Sequence, residues 1–326
     1  MVPFTYSRAR TSNDAIQQGL HPNAALVAGG TTLIDLMKLD VMSPTRLVDI
    51  NKLPLSKIES LSDGSVRVGA MVRNSDMAHH EAIKTRFPVL SQALLSGASP
   101  QLRNMATTGG NLMQRTRCYY FRDTAYACNK REPGSGCAAM EGFNRIHAIL
   151  GGSAQCVATH PSDMAVALMA LDATVQIQGA NGMRNVPINH FHLLPGETPH
   201  IETVVRPGEL VLSVTLPHTP FAARSTYVKL RDRASYEFAL ASAAVALEMS
   251  GHTIKSARVA LGGVATKPWR SPEAEAALEG KPADETTFKA SAEAAMREAK
   301  PLKHNAYKIE LGKMALVRAL REASSA

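Results

Sequence analysis

All four cysteines of the chain lie within one window of 39 residues, at Cys118, Cys128, Cys137 and Cys156. The window follows a glycine-rich segment, T-T-G-G-N-L at residues 107–112, and ends shortly before H-P-S-D at residues 160–163. Four thiolates are the complete ligand set of one iron–sulfur cluster or one structural zinc ion. The cysteines therefore have to be interpreted together, and a redox metal beside a glycine-rich turn indicates an electron-transfer protein.

The cysteine spacing is C-x9-C-x8-C-x18-C. Structural zinc sites normally contain two close CxxC pairs, and this window contains none. Wide single spacings, with turn formers such as P-G-S-G at residues 133–136, favour a cluster wrapped by a loop. A zinc site and four separate core thiols remain as alternatives. His160 is interpreted as structural, because four cysteines already complete a ligand set.

Two glycine-rich segments are candidates for cofactor binding. Ala28-Gly29-Gly30-Thr31-Thr32 lies between a predicted strand and a predicted helix, where free N–H groups favour phosphate. It is not the GxGxxG motif of dinucleotide-binding folds. Thr107-Thr108-Gly109-Gly110-Asn111 is predicted to form a second turn of this kind. Each segment alone is consistent with an ordinary turn, but the two together favour one extended cofactor that contacts both.

The order of predicted elements indicates three units. Residues 1–56 are predicted to form a compact β-α-β unit, residues 57–220 a second α+β unit with an insertion at 112–160, and residues 221–326 strands followed by helices. The predicted strands are residues 24–28, 47–50, 66–70, 173–177, 209–216, 225–229, 239–247 and 256–261. The predicted helices are a short one capped by residues 11–14 and residues 32–39, 89–95, 163–171, 272–278, 285–300 and 307–322.

Composition excludes several functions. The net charge is +8, but the basic residues are dispersed and only 5% of residues are aromatic, so nucleic-acid binding is not expected. The longest apolar run, residues 238–249, is too short to span a bilayer, and the first residues lack the apolar core of a signal peptide. No catalytic triad, HExxH motif or pair of carboxylates is present, and no catalytic residue is predicted.

With these motifs in hand, the chain resembles the FAD-binding subunits of the molybdenum hydroxylases, the xanthine dehydrogenase and aldehyde oxidoreductase family. The resemblance extends over the whole length, through A-G-G-T-x-L-x-x-x-M-K, T-T-G-G-N-L, P-S-D-M-A-V-A-L-M-A-L-D-A, P-G-E-L and Y-V-K-L-R-D-R-A-S-Y-E-F-A-L. It implies an α+β fold, the FAD-binding fold of the PCMH/xanthine dehydrogenase type with two α/β subdomains. A smaller C-terminal domain of a β-sheet plus helices is expected to follow.

The insertion refines the resemblance. In most of the family only a few residues separate the GGN and SD motifs, whereas here 50 residues lie between Asn111 and Ser162 and include every cysteine. An insertion carrying a [4Fe–4S] cluster resembles the FAD subunits of the bacterial, periplasmic, heterotrimeric aldehyde oxidoreductases. The main alternative is a resemblance to the flavin subunit of 4-hydroxybenzoyl-CoA reductase. The stretches C-N-K-R-x-P-G-S-G-C and F-N-R-x-H-A favour the aldehyde oxidoreductase subunits.

The resemblance also implies roles for individual residues. The expected FAD diphosphate contacts are Val27, Ala28, Gly29, Gly30, Thr31, Thr32 and Leu33. Thr107, Gly110 and Asn111 are expected to line the flavin side, Asp163 to hydrogen-bond the cofactor, and Glu209 and Val211 to lie near the adenine and ribose end or the ring edge. Lys229 is expected to approach the flavin, where a cation stabilises the reduced, anionic form. Cys118, Cys128, Cys137 and Cys156 are the implied ligands of the [4Fe–4S] cluster.

The implied function is an electron-transfer subunit of a heterotrimer. A large molybdenum-cofactor subunit would oxidise the substrate, a small [2Fe–2S] subunit would deliver electrons to this chain, and an external acceptor would receive them. A periplasmic location by co-export with a signal-bearing partner is expected, and otherwise a cytoplasmic one. The alternatives are a xanthine dehydrogenase-type complex, a stand-alone flavin reductase or oxidase that turns over by itself, and a zinc-stabilised binding subunit without redox activity.

Overall fold

The computed structural model describes residues 1–325, and its first unit is a small parallel sheet. The strands are β1 (Thr5–Arg8), β2 (Ala24–Val27) and β3 (Arg46–Asp49), in the order β1-β3-β2, and the connecting helices are α1 (Ser12–Gly19) and α2 (Leu33–Lys38). The side chain of Thr11 accepts a hydrogen bond from Asp14 N and starts α1 as the sequence predicts. Strand β1 was not predicted, because its sequence TYSR shows no apolar alternation.

The second unit is a five-stranded antiparallel sheet covered by helices. Its order is β4-β5-β8-β6-β7. The strands are β4 (Ile58–Ser60), β5 (Val66–Gly69), β6 (Thr174–Gly179), β7 (Gly182–Pro187) and β8 (Leu210–Leu216). The helices are α3 (Asn74–His79), α4 (Glu81–Arg86), α5 (Pro88–Ser96), α6 (Pro100–Met105), α7 (Thr108–Leu112), α8 (Tyr119–Arg122), α9 (Asp163–Ala170) and α10 (Ile188–Phe191).

Helix α9 is the centre of the packing. Every residue from Met164 to Ala170 is buried, because the helix packs against α5 on one side and against the third unit's sheet on the other. The side chain of Ser162 accepts a hydrogen bond from Ala165 N and fixes where the helix begins. The first residue of α9, Asp163, is thereby held where the second and third units meet.

The third unit is a four-stranded antiparallel sheet with three helices. The strands are β9 (Ser225–Leu230), β10 (Ala241–Ser250), β11 (Thr253–Gly262) and β12 (Trp269–Arg270), in the order β12-β11-β10-β9. The helices are α11 (Pro272–Leu278), α12 (Glu285–Met296) and α13 (Tyr307–Ser325). The run A-S-A-A-V-A in β10 is buried, and its small side chains allow α13 to pack closely on this strand.

The insertion at residues 112–160 connects all three units. It contains the short helix α8 and otherwise turns and isolated bridges, one of which joins Cys128 to Cys137. Its ion pairs reach the first unit (Arg122 to Asp35, 2.8 Å), the second (Arg115 to Glu202, 3.1 Å) and the third (Arg145 to Asp232, 2.7 Å). The α+β fold class is therefore as expected. Within residues 1–325, no helix has the length and apolar character needed to cross a bilayer.

Candidate functional site

A deep cleft lies where the three units meet. Its volume is about 890 Å³, near the upper end of the roughly 300–1,000 Å³ that ligand pockets have. The lining includes Thr31, Thr32 and Asp35 from the first unit, Gly110, Asn111 and Asp163 from the second, and Tyr236, Phe238 and Ser242 from the third. A cleft of this volume and lining suits one ligand that contacts all three units.

The first glycine-rich segment forms the tight turn between β2 and α2. A Cβ on Gly29 would collide with the carbonyl oxygen of Met105, so glycine is required for the close contact with the second unit. Gly30 has φ +72°, which disfavours any other residue. Thr31 and Thr32 line the cleft, and Thr32 precedes α2 without a capping hydrogen bond from its own side chain. Their hydroxyls are therefore free to bind a ligand.

The second glycine-rich segment is the short helix α7 and not the predicted turn. Thr107 precedes the helix and its side chain accepts a hydrogen bond from Gly110 N at 3.2 Å. Asn111 Oδ1 accepts a hydrogen bond of 2.6 Å from Ser162 Oγ, which joins α7 to the start of α9. Gly110 and Asn111 line the cleft, as their expected role requires. Val27, Ala28 and Leu33 are half-buried and are not among the residues that line the cleft, so their expected role stays a prediction.

Asp163 carries the central carboxylate of the cleft. Its Oδ1 accepts a hydrogen bond of 2.6 Å from the Tyr227 hydroxyl, and its Oδ2 forms an ion pair of 2.8 Å with Lys229 Nζ. The Lys229 side chain is only 3% exposed and also donates to Ser96 O. Burial and the adjacent Asp163 raise the pKa of Tyr227 well above its usual range, so this hydroxyl stays protonated. Lys229 thus neutralises Asp163 at the cleft.

Glu209 and Val211 lie outside the lining of the cleft. Glu209 forms an ion pair of 2.7 Å with Arg184 and accepts a hydrogen bond from Arg206 N. The Arg184 hydrogen bond lowers the pKa of Glu209, so its carboxylate is ionised and already paired within the protein. Val211 is buried in the core of the second unit. Their expected role near the cofactor stays a prediction.

Two arginines of the cleft were not predicted from the sequence. Arg103 and Arg117 line the cleft, and within residues 1–325 neither forms an ion pair with a carboxylate. Burial and the neighbouring Arg122 lower the pKa of Arg117 to about 10, still far above neutrality, so it remains charged. Single arginines have no motif by which sequence reasoning could have found them. Two guanidinium groups without a carboxylate partner among the described residues give the cleft hydrogen-bond donors for an anionic group of a ligand.

The cleft also contains buried polar atoms that the protein itself leaves without partners. Asn74 Oδ1, His160 Nε2 and Ser242 Oγ are buried and have no hydrogen-bond partner in the described part of the chain. All three residues line the cleft. Buried polar groups are normally hydrogen-bonded, so these atoms fit a ligand that has its own donors and acceptors. The uncompensated arginines, the free threonine hydroxyls and these atoms are consistent with a dinucleotide cofactor such as FAD.

All four cysteines line a second, small cavity inside the insertion. Each is a free thiol, and Cys118, Cys128 and Cys156 are buried. Backbone N–H groups of Tyr120 and Phe121 point at Cys118, and Ala158 N donates to Cys156 Sγ at 3.5 Å. Burial raises the pKa of Cys118 to about 12, so an unliganded thiol here is protonated, whereas a metal would displace the proton.

The four cysteines line one cavity. Among residues 1–325, no group of three or more His, Cys, Asp or Glu side chains is arranged to hold a metal ion. A tetrahedral zinc ion needs four sulfur atoms about 2.3 Å from one point. Four thiols with N–H groups directed at them would suit the ligand set of an iron–sulfur cluster, whose sulfur ligands commonly accept such hydrogen bonds.

Helix α8 separates the cysteine cavity from the cleft. It begins directly after Cys118, and Tyr120 and Phe121 line the cavity. Tyr119 and Arg122, on the same helical turn, line the cleft. One turn of helix therefore has the cysteine cavity on one side and the cleft on the other, which places two binding sites next to each other.

Two family models together match nearly the whole chain. Residues 2–219 match the FAD binding domain in molybdopterin dehydrogenase, and residues 225–323 match the CO dehydrogenase flavoprotein C-terminal domain. The aldehyde oxidoreductase FAD-binding subunit PaoB of Escherichia coli (strain K12) is 51% identical over 326 residues, 99% of each chain. The glyceraldehyde dehydrogenase medium chain of Sulfolobus acidocaldarius is 30% identical over 85% of this chain and 82% of its own length.

Solved structures show the same fold. The carbon monoxide dehydrogenase structure from Hydrogenophaga pseudoflava contains a chain that superposes with a TM-score of 0.77 and 28% identity. The superposition covers 100% of this chain and 99% of that one. The expected FAD-binding fold followed by a C-terminal sheet domain is therefore confirmed.

Proposed function

We propose that this chain, which belongs to the FAD-binding subunits of the molybdenum hydroxylase family, is the FAD and [4Fe–4S] electron-transfer subunit of an aldehyde oxidoreductase complex. The observation that carries the proposal is the arrangement around α8, with the four-cysteine cavity on one side and the cleft on the other. A redox group in each place would be within a short distance of the other. The 51% identity to an aldehyde oxidoreductase subunit over the full chain supports the choice of substrate class.

FAD, when bound, supplies a flavin that accepts and releases electrons singly or in pairs. The chain's own residues hold it. Thr31, Thr32, Arg103 and Arg117 line the cleft and would bind the anionic diphosphate, and Gly110 and Asn111 would contact the flavin part. Lys229 keeps Asp163 electrically neutral, so that no uncompensated negative charge opposes the extra charge of the reduced cofactor.

Cys118, Cys128, Cys137 and Cys156 would hold the [4Fe–4S] cluster as thiolates, and the cluster supplies one-electron chemistry. The surrounding protein excludes water from these thiolates, since three of the four are buried. Arg115 and Lys130 both pair with Glu202 of the second unit, at 3.1 and 3.0 Å, and fix the cysteine loop on that unit.

The remaining parts of the reaction belong to partners. Neither the sequence nor the cleft contains a group that would oxidise an aldehyde directly. A large molybdenum-cofactor subunit would do so, a small [2Fe–2S] subunit would pass the electrons on, and an external acceptor would take them from this chain. A periplasmic location through co-export with a signal-bearing partner is part of the proposal.

The visible absorption spectrum and metal content of the purified chain test the proposal. Flavin bands together with a broad iron–sulfur shoulder are expected. A stand-alone flavin oxidoreductase would show the flavin bands without iron, and a zinc-stabilised binding subunit would be colourless and contain zinc. Either of these results contradicts the proposal.

The turn between β2 and α2 gives a direct test of the flavin site. Gly30→Val is expected to lose most of its FAD while circular dichroism shows the fold retained. The branched side chain strains a residue with φ +72° and displaces Thr31 and Thr32 from the cleft. Flavin absorbance per protein is the measurement.

Gly251→Val is the matched control for Gly30→Val. Gly251 has φ +58°, so valine meets a similar backbone penalty of about 1–2 kcal/mol. It lies in the turn at the opposite end of β10 from the cleft-lining Ser242, about 30 Å away for nine residues of strand. This variant should keep its FAD. Full flavin occupancy in Gly30→Val would show that the turn does not hold the cofactor.

A further inference from the structure

A buried lysine lies between the cysteine cavity and the cleft. Lys308 of α13 is 0% exposed, and its ammonium group donates hydrogen bonds to the carbonyl oxygens of Ile146, His147 and Gly263, at 3.0, 3.0 and 2.5 Å. Within residues 1–325 it forms no ion pair with a carboxylate. A buried ammonium without a counter-ion is costly, so an anion close by would account for its presence.

The three carbonyl groups connect this charge to both sites. Ile146 and Gly263 line the cleft. His147 is the residue whose imidazole Nε2 lies 3.1 Å from Cys118 Sγ, and it is 1% exposed. The ammonium is therefore hydrogen-bonded to the backbone of the residue that touches a proposed cluster ligand.

His147 is suited to donate a hydrogen bond to a thiolate. A thiolate of Cys118 can only accept a hydrogen bond, so Nε2 of the ring has to carry the proton of the 3.1 Å contact. Burial, and next Arg145, lower the pKa of Lys308 to about 7, so near neutral pH the group is fully charged only if an anion lies close by.

We propose that Lys308 and His147 are positioning residues that raise the reduction potential of the cluster held by the four cysteines. This inference rests on the proposed [4Fe–4S] site. Reduction adds one negative charge to the cluster, and a buried positive charge and an N–H···S hydrogen bond both stabilise the more negative form. Lys308 acts through its charge, and His147 through its contact with Cys118.

The test measures a potential and not an activity. Lys308→Met keeps the length of the side chain and removes the charge. We expect the variant to retain its iron and sulfide, and its cluster to become at least about tenfold harder to reduce, a shift of about 59 mV to lower potential for a one-electron couple. Anaerobic redox titration of the purified full chain, followed by electron paramagnetic resonance, gives this value.

Two further variants make the result specific. Lys303→Met removes the same charge from an exposed position on the segment leading to α13 and should leave the potential unchanged. Lys308→Arg keeps the charge and should restore most of the wild-type value. If Lys308 had only a structural role, the Lys308→Met and Lys308→Arg variants that contain a complete cluster would have the same reduction potential.

If Lys308→Met loses its iron, two variants of His147 test the inference instead. His147→Leu removes the N–H donor and should lower the potential, whereas His147→Gln keeps an N–H donor and should stay closer to the wild type. Equal reduction potentials in these two variants would overturn the inference but not the proposed cluster. The same holds if a Lys308→Met variant with a complete cluster has the same potential as Lys303→Met. A wild-type chain without iron would instead overturn the proposed cluster, and this inference with it.

Discussion

Replacing any one of Cys118, Cys128, Cys137 and Cys156 by serine is expected to remove most of the iron and sulfide from the purified chain. The wild type should contain about four of each, as one [4Fe–4S] unit requires. The sequence has only these four cysteines, so no spare thiol can take the place of a lost ligand. Burial raises the pKa of the Cys118, Cys137 and Cys156 thiols, which disfavours their thiolate forms when no cluster is bound.

The same substitutions should loosen the loop at residues 112–160. Outside the short α8 this loop has no regular structure, so the bound group would be a main constraint on it. Limited proteolysis should cut the variants faster within these residues than the wild type. Ala125→Ser places a serine at an exposed site in the same loop and should retain iron and resist cleavage. Zinc in place of iron, or cysteine variants that keep their iron, would contradict the assignment.

Local signals predicted much of the fold. Helix α11 begins and ends where the sequence predicts, since Ser271 and Pro272 form a standard helix start. Helix α9 was predicted to within one residue from an apolar run bounded by Ser162. Helix α7 was mistaken for a turn because glycine disfavours helices. Contacts distant in sequence stabilise it, since the N–H groups of Thr108 and Gly109 donate to the carbonyl oxygens of Val72 and Ala70.

The candidate site likewise contains residues that local sequence signals predicted and residues that only the folded structure brings together. The glycine-rich segments and the cysteines were found because their residues are close together in the sequence. Arg103, Arg117, His147 and Lys308 are single residues, and only the packing of the three units places them at the cleft or the cysteine cavity. Lys229 was predicted from the sequence to approach the cofactor, and that stays a prediction, whereas its ion pair with Asp163 spans 66 residues and required the structure.

The chain expressed alone should not oxidise aldehydes or purines with any acceptor. It contains a cofactor cleft and a cysteine site but no acid–base or nucleophile group arranged for the organic reaction. Assembled with a molybdenum subunit and a [2Fe–2S] subunit, its flavin absorbance should bleach when an aldehyde is added without oxygen. Turnover of an aldehyde by the isolated chain would contradict the electron-transfer role.

Lys229→Ala tests the same division of labour inside the assembled complex. Removing the ammonium leaves Asp163 as an uncompensated, nearly buried carboxylate in the proposed flavin cleft, and breaking such a buried pair costs about 3–5 kcal/mol. The added negative charge opposes the extra charge of the reduced cofactor, so flavin reduction should slow by at least about tenfold, or about 1.4 kcal/mol. Substrate affinity at the molybdenum site should be nearly unchanged, and stopped-flow absorbance separates the two.

The double variant Lys229→Ala/Asp163→Asn identifies the cause of that slowing. It removes the carboxylate's charge together with the lysine, and the introduced amide keeps an oxygen that can accept the Tyr227 hydrogen bond. If the unpaired charge slows the electron transfer, the double variant should recover much of the rate that the single variant loses. If Lys229→Ala changed only substrate binding and left the flavin rates intact, the chain would take part in choosing the substrate, and its role as an electron-transfer subunit would be wrong.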